Sequence, residues 1–300
     1  MVEVVIVGSI GLDNIETPFG KVIDTLGGSA IYSSIASSFF AETGVVGVIG
    51  TDFPEQRLKE MQRKGIDIKG IETVEGKTFR WSGKYEFDLN TAKTLKTELN
   101  VMENFQPKIP EEYKKAEYVF LGNIDPELQL KVLEQIKKPK LVVSDTMNYW
   151  IETKRQKVLE VVKAVDIALM NDAEARELFR TNNLVKAAKE ILKLDSDYAI
   201  IKKGEHGSVM FSDNNHFSLP GYPLENIKDP TGAGDSFAGA LIGFLAKTKE
   251  VTEPNIRKAM VHGSIVASLE AEGMGVTNMD FINQFKIKER FKEFEEIVKF

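Results

Sequence analysis

Short apolar runs, each closed by a glycine or a polar pair, recur along this chain. Val4–Val7 ends at Gly8, and residues 45–49 end at Gly50. Tyr118–Leu121 ends at Gly122-Asn123, residues 141–143 at Ser144-Asp145, and residues 167–170 at Asn171-Asp172. Residues 198–201 run into Lys202-Lys203-Gly204. Strands this short, apolar on both faces, are covered on both sides. Helical patterns separate them at residues 29–41, 54–64, 127–137, 154–165 and 184–194, the second stopped by Gly65. Strand and helix in alternation predict right-handed crossovers and an α/β fold, with a mostly parallel central sheet and helices on both its faces. Residues 73–101 break the rhythm. Thr78, Arg80, Ser82 and Lys84 alternate with Phe79, Trp81, Gly83 and Tyr85, as in half-exposed antiparallel strands. Residues 12–26 are also non-helical. The two segments predict a small projecting sheet, with an ordinary edge hairpin as the alternative. No repeat or Pro/Gly-rich linker divides residues 1–300, which are read as a single domain.

Composition then narrows the chemistry. The 300 residues carry 39 Lys and Arg against 45 Asp and Glu, a net charge of −6. Nothing in that balance attracts nucleic acid or an anionic membrane. Without cysteine there are no disulfides, thiol nucleophiles or iron–sulfur sites. The three histidines, His206, His216 and His262, are too far apart for a His-x-x-x-His metal site. No signal peptide is visible, and the longest apolar run is about half of the ~20 residues a membrane span needs. The expected setting is cytoplasmic.

Three motifs fail on inspection. Glu75-Gly76-Lys77-Thr78 ends like a phosphate loop, but Ile71 stands where that loop needs glycine. Gly8-Ser9-Ile10-Gly11 follows a strand without completing a dinucleotide fingerprint. The segment from Gly234 to Gly239 misses a nucleophile elbow by one residue. The segment Asp229-Pro230-Thr231-Gly232-Ala233-Gly234-Asp235-Ser236-Phe237 is far more informative. A proline sets a turn, two glycines free the backbone, and a helix apolar nearly all round follows. Such a helix is buried, so its N-terminus lies inside or at a cleft. The orphan amides of residues 232–235 and the positive helix end make an anion site. Asp235 beside them can cap the helix, or it can take a proton from a hydroxyl attacking a phosphoryl group.

With these residues in view, the chain resembles the ribokinase-like, PfkB-type carbohydrate and nucleoside kinases along its whole length. The second signature is Gly27-Gly28-Ser29-Ala30-Ile31-Tyr32, ahead of Gly44 and Gly50-Thr51-Asp52. Tyr32 departs from the pattern, since many sugar kinases of this type have asparagine there. An aromatic ring at that place stacks on a base or sugar, or fills space.

The resemblance implies roles residue by residue. Asp235 matches the catalytic base, and Gly232, Ala233 and Gly234 match the anion hole. Asp13 matches the aspartate that holds substrate hydroxyls, with Gly27 and Gly28 letting the substrate approach; Tyr32, Asn123 and Trp81 would line the same pocket. Asn171 and Glu174 match a pair that orders Mg²⁺ through water, though both also fit a helix cap. Lys203, Gly204 and Gly207 resemble a nucleotide loop, and His262 lies on a helix that borders the nucleotide in this family. Asp229 and Thr231, near residues 273–275, match a monovalent-cation place of many relatives, with K⁺ as the candidate. Asp145, Asn148 and Trp150 follow a strand where relatives carry phosphate-side residues. Residues 12–26 and 73–101 match a substrate lid, which in some relatives also forms a homodimer. The expected activity is ATP- and Mg²⁺-dependent phosphorylation of a hydroxyl on a sugar or sugar-like small molecule. Alternatives are a nucleoside acceptor, a non-catalytic sugar or nucleotide sensor, and, remotely, a dinucleotide oxidoreductase.

Overall fold

The computed structural model describes residues 2–213 and 215–299. The chain opens with β1 (Val4–Val7), β2 (Gly11–Thr17) and β3 (Gly20–Gly27). Helix α1 (Ser29–Ser38) leads to β4 (Thr43–Gly50), α2 (Glu55–Arg63) and β5 (Asp67–Val74). Then come β6 (Phe79–Tyr85), β7 (Ala92–Glu98), β8 (Tyr118–Leu121), α3 (Pro126–Leu133) and β9 (Leu141–Ser144). Next are α4 (Asn148–Lys163), β10 (Ile167–Asn171), α5 (Asp172–Leu178), α6 (Leu184–Leu192) and β11 (Tyr198–Lys202). The last elements are β12 (Ser208–Phe211), β13 (His216–Leu219), α7 (Ala233–Thr248), α8 (Glu253–Ala271) and α9 (Gln284–Ile297).

Among the described residues the main sheet has nine strands in the order β13-β12-β11-β10-β9-β8-β1-β4-β5. From β5 to β11 every neighbouring pair is parallel, and β12 and β13 add an antiparallel edge. Side chains alternate between two cores, as the pleat demands. Ile6, Phe120, Val143, Leu169 and Ile200 join Ile31, Leu241 and Ile265 on the face of α1, α7 and α8. Val7, Leu121, Met170 and Ile201 join Val132, Val158, Ala175 and Ala187 on the face of α3 to α6. Helices α1 and α7 approach closely because the crossing is built from small residues. A Cβ at Gly239 would sit 2.1 Å from Ser33 O, and one at Gly243 2.8 Å from Ser37 O.

The second sheet, β3-β2-β6-β7, holds residues 11–27 and 79–98. Its boundaries correct the expected segment. Residues 73 and 74 finish β5 in the main sheet, and the projecting strands begin only at Phe79. The pair β2–β6 is parallel, whereas both outer pairs are antiparallel. Helix α4 starts at Asn148, earlier than the expected 154, because a non-helical Lys154 (φ −136°, ψ 38°) joins a first turn to the amphipathic stretch. Among the described residues no helix is long and apolar enough to cross a membrane.

Candidate active site

Three neighbouring parallel strands deliver charged groups to one edge of the main sheet. Asp145 follows β9, Glu174 lies in the first turn after β10, and Lys202 ends β11 in register with Asn171. Ile200 points into the core shared with α7, so Lys202, two residues on, points the same way. Its ammonium donates to Asp145 Oδ2. Asp145 is 5 % exposed, and Thr146 N donates to its other oxygen at 3.0 Å. Burial pushes the Asp145 carboxyl up against the pull of Lys202. Burial works against the Lys202 charge, yet Asp145, Glu174 and Asp235 together hold it above its ordinary value. Asn171 and Glu174 form a reciprocal cap. Glu174 N donates to Asn171 Oδ1 at 2.8 Å, and Asn171 N donates to Glu174 Oε2 at 2.7 Å. Burial, then the neighbouring Asp145, raises the Glu174 carboxyl well above the usual range.

Helix α7 begins against this group. Gly232 takes a left-handed conformation (φ 86°), and a Cβ there would lie 2.3 Å from the Tyr32 ring. Gly232→Ala is therefore expected to destabilise the fold by about 1–3 kcal/mol, readable as a lowered denaturant midpoint with unchanged slope. A Cβ on Gly234 would lie 3.2 Å from Lys202 Nζ, so the ammonium and the helix start face the same space. Ala233 N donates back to Pro230 O at 3.1 Å, so this expected anion-hole amide is already engaged by the turn. Asp235 lies in the first turn. Its carboxyl is pushed up to about 7 by burial and by Asp145, with Lys202 opposing.

A second cluster stands on the small sheet. Asp13 on β2 is 4 % exposed, and a Cβ on Gly27 would fall 2.0 Å from its Oδ2, so only glycine fits there. Burial raises the Asp13 carboxyl to about 7 against a hydrogen bond from Gly28 N–H, with Asp229 and Asp235 adding to the rise. The charge of Asp235 adds to the rise of both the Asp13 and the Glu174 carboxyls, so it is felt in both clusters. Asp229 is fully buried and accepts from Thr231 N at 2.9 Å and Gly275 N at 2.8 Å. Thr231 Oγ1 donates to Tyr85 Oη of the small sheet at 3.3 Å.

The other expected residues have the following surroundings. Tyr32 is 1 % exposed with its ring against Gly232, so it packs the start of α7 and offers no stacking face to a ligand. Trp81 turns along its own sheet and donates to Thr94 Oγ1 at 3.2 Å. Asn123 Oδ1 accepts from Trp150 Nε1 at 3.0 Å at the end of β8. Lys203, Gly204 and Gly207 form a tight loop after β11, closed by Lys203 N donating to Gly207 O at 2.7 Å. His262 stacks on Phe244 and Phe291, with Phe40 edge-on, and burial lowers it to about 4. Phe244 lies nine residues past Asp235, roughly 13 Å along the helix. His262 is thus part of an aromatic cluster away from the acidic site. The sequence reading missed Lys202 and also Glu270, whose carboxyl is fully buried beside Asp229 with both oxygens unpartnered.

Comparisons with known proteins identify the family. The family model "pfkB family carbohydrate kinase" matches residues 18–280. The cytidine kinase of Thermococcus kodakarensis is 32% identical over 252 residues, covering 82% of this chain and 88% of that protein. The ribokinase of Lactococcus lactis is 26% identical over 312 residues, covering 98% and 99%. An E. coli structure solved with ATP and Mg²⁺ superposes with a TM-score of 0.80 at 18% identity, covering 98% and 100%. The two-sheet fold, the glycine-led helix start and the family match converge: the chain belongs to the pfkB family of carbohydrate kinases and is a phosphotransferase that acts on a hydroxyl group.

Proposed function

We propose that this kinase moves the γ-phosphate of ATP to a hydroxyl of a nucleoside, with Asp235 as general base. The observation that carries the reading is Asp235 itself, a carboxyl raised to about 7 in the first turn of a buried helix, beside the Asp145 and Lys202 pair. Asp13 and the backbone at Gly27 and Gly28 bind the acceptor hydroxyls. The acceptor hydroxyl gives its proton to Asp235 as its oxygen forms a bond to the γ-phosphorus and the bond to ADP breaks. The amides at Gly232 and Gly234 receive the developing charge. Lys203, Gly204 and Gly207 border the nucleotide.

Asn171 and Glu174, with Asp145, suit Mg²⁺. Three carboxyl groups share this edge with one ammonium, and a bound cation would favour their ionised forms. Mg²⁺ characteristically keeps several waters and binds through one or two carboxylates plus substrate phosphates. When bound, Mg²⁺ supplies charge neutralisation on the phosphates. The two unpartnered oxygens of Glu270, near Asp229, are buried oxygen ligands available to a monovalent cation such as K⁺.

The small sheet acts as the lid of a single working unit, because Thr25 and Tyr85 stand on it and meet Gly275 and Thr231 of the main body, while Asp13 stands on the same sheet. Its exposed Phe19, Ile23, Phe87 and Leu95 support a second copy docking there. Asp13→Ala is expected to raise the acceptor KM by roughly 10–100-fold while the ATP KM stays near wild type, which steady-state kinetics reads directly.

The nucleoside reading leans on the likeness to a cytidine kinase; a free sugar is the second reading, favoured by the whole-length likeness to a ribokinase. An equimolar mixture of nucleosides, pentoses and hexoses with Mg·ATP, read by product mass, separates them. A nucleoside monophosphate is the expected product. A sugar phosphate alone would replace the first reading with the second.

A further inference from the structure

Lys202 supplies the positive charge among Asp145, Glu174 and Asp235, and its side chain is only 16% exposed. A buried ion pair of this kind is weak evidence for a stabilising role, since an apolar pair of similar volume is often as stable. The position suggests another reason for keeping it. A Cβ at Gly234 would lie 3.2 Å from Lys202 Nζ, so glycine keeps open the space between the ammonium and the first turn of α7. That turn carries Asp235 and the positive end of the helix.

We infer that Lys202 is a further catalytic residue, whose ammonium grips an oxygen of the γ-phosphoryl group of ATP during transfer, leaving Asp145 to do so. The inference rests on the kinase reading above. In the free protein Asp145 holds the ammonium in place. When the triphosphate arrives, the terminal phosphoryl oxygens become the stronger partner, and Asp145, released from the ammonium, would be free to help hold a bound Mg²⁺. As the oxygen–phosphorus bond to ADP breaks and the bond to the acceptor forms, the acceptor's proton goes to Asp235. Lys202 loses no proton and forms no covalent bond. It balances charge on the three equatorial oxygens and aims the phosphoryl group along the axis that Asp235 faces.

The test uses nucleotide binding, which needs no acceptor. Calorimetry with Mg²⁺ compares ADP with the β,γ-imido analogue of ATP on the wild type, Lys202→Met, the charge-balanced pair Lys202→Met with Asp145→Asn, and Lys202→Arg. The analogue is expected to bind about 10–100-fold more weakly to the two Met variants, while ADP binding stays within a few-fold. Turnover falls by roughly 100–1000-fold in both. Lys202→Arg keeps the charge and the partner, so it should fold even if the Met variants do not, and it shows the same contrast at reduced size. Equal weakening of both nucleotides, or unchanged analogue binding in a folded variant, overturns the inference and leaves Lys202 a structural partner of Asp145. Asp235→Asn separates the two readings. It is expected to preserve the contrast between nucleotides while losing turnover. A contrast at Lys202 with an active Asp235→Asn would sink the base assignment alone, and the reverse pattern would sink the Lys202 assignment alone.

Discussion

Asp235→Asn is expected to bind Mg·ATP within a few-fold of wild type and to turn over about 100–10,000-fold more slowly, the usual cost of removing a positioned base. The substitution is nearly isosteric and removes a charge from a crowded acidic site, so the fold should hold or gain stability. The loss should appear equally in kcat and in kcat/KM, because a base acts on the proton only as the acceptor attacks. ATP affinity by calorimetry and kcat by ADP release check both halves. Retained turnover would leave Asp235 a helix-capping carboxylate and nothing more.

The pH profile carries the second large effect. Burial and Asp145 raise the Asp235 carboxyl from 3.8 to about 7, and only the ionised form can accept a proton. Below pH 7 the base is progressively protonated, so kcat/KM for the acceptor should fall about tenfold per pH unit. Asp13 is raised to about 7 as well, mainly by burial, and it must be ionised to hold a charged-acceptor hydrogen bond. Where both protons count, the slope steepens toward two, and the loss at pH 5 lies between roughly 100-fold and 10,000-fold. Stability runs the other way. Each acid has a folded pKa above its unfolded value, so the folded state binds more protons between about pH 4 and pH 7, and stability declines as pH rises through that window. Rate and unfolding midpoint measured on the same buffers should therefore slope in opposite directions.

The main sheet was legible because each buried parallel strand is a continuous apolar run. Val4–Val7 and Tyr118–Leu121 were read to the residue. Strand β5 was not, since it lies at the sheet edge and its sequence, with Lys69 and Glu72, is half-exposed. Helix α9 escaped for the same reason, with only Ile287 and Phe294 buried among its charges. The α7 start and the pair Asn171 and Glu174 stood out as local motifs. Lys202 did not, because the doublet Lys202-Lys203 offers two candidates, one ending β11 and one opening the loop. Strand alternation could have decided it, since Lys202 shares a face with Ile200. Glu270 also left a trace, lying one and two helical turns past the buried Val266 and Gly263, where an apolar residue is expected. For Tyr32 the sequence left two readings open, stacking on a ligand or filling space, and could not choose between them. Its role as packing for Gly232 depends on helices α1 and α7 meeting, a contact between residues some two hundred positions apart.

The most direct measurement is the rate of ADP release from Mg·ATP, with and without a nucleoside, for wild type and Asp235→Asn side by side. The account predicts acceptor-dependent release by the wild type that collapses by at least ~100-fold in the variant. Acceptor-dependent release that survives in the variant would contradict it.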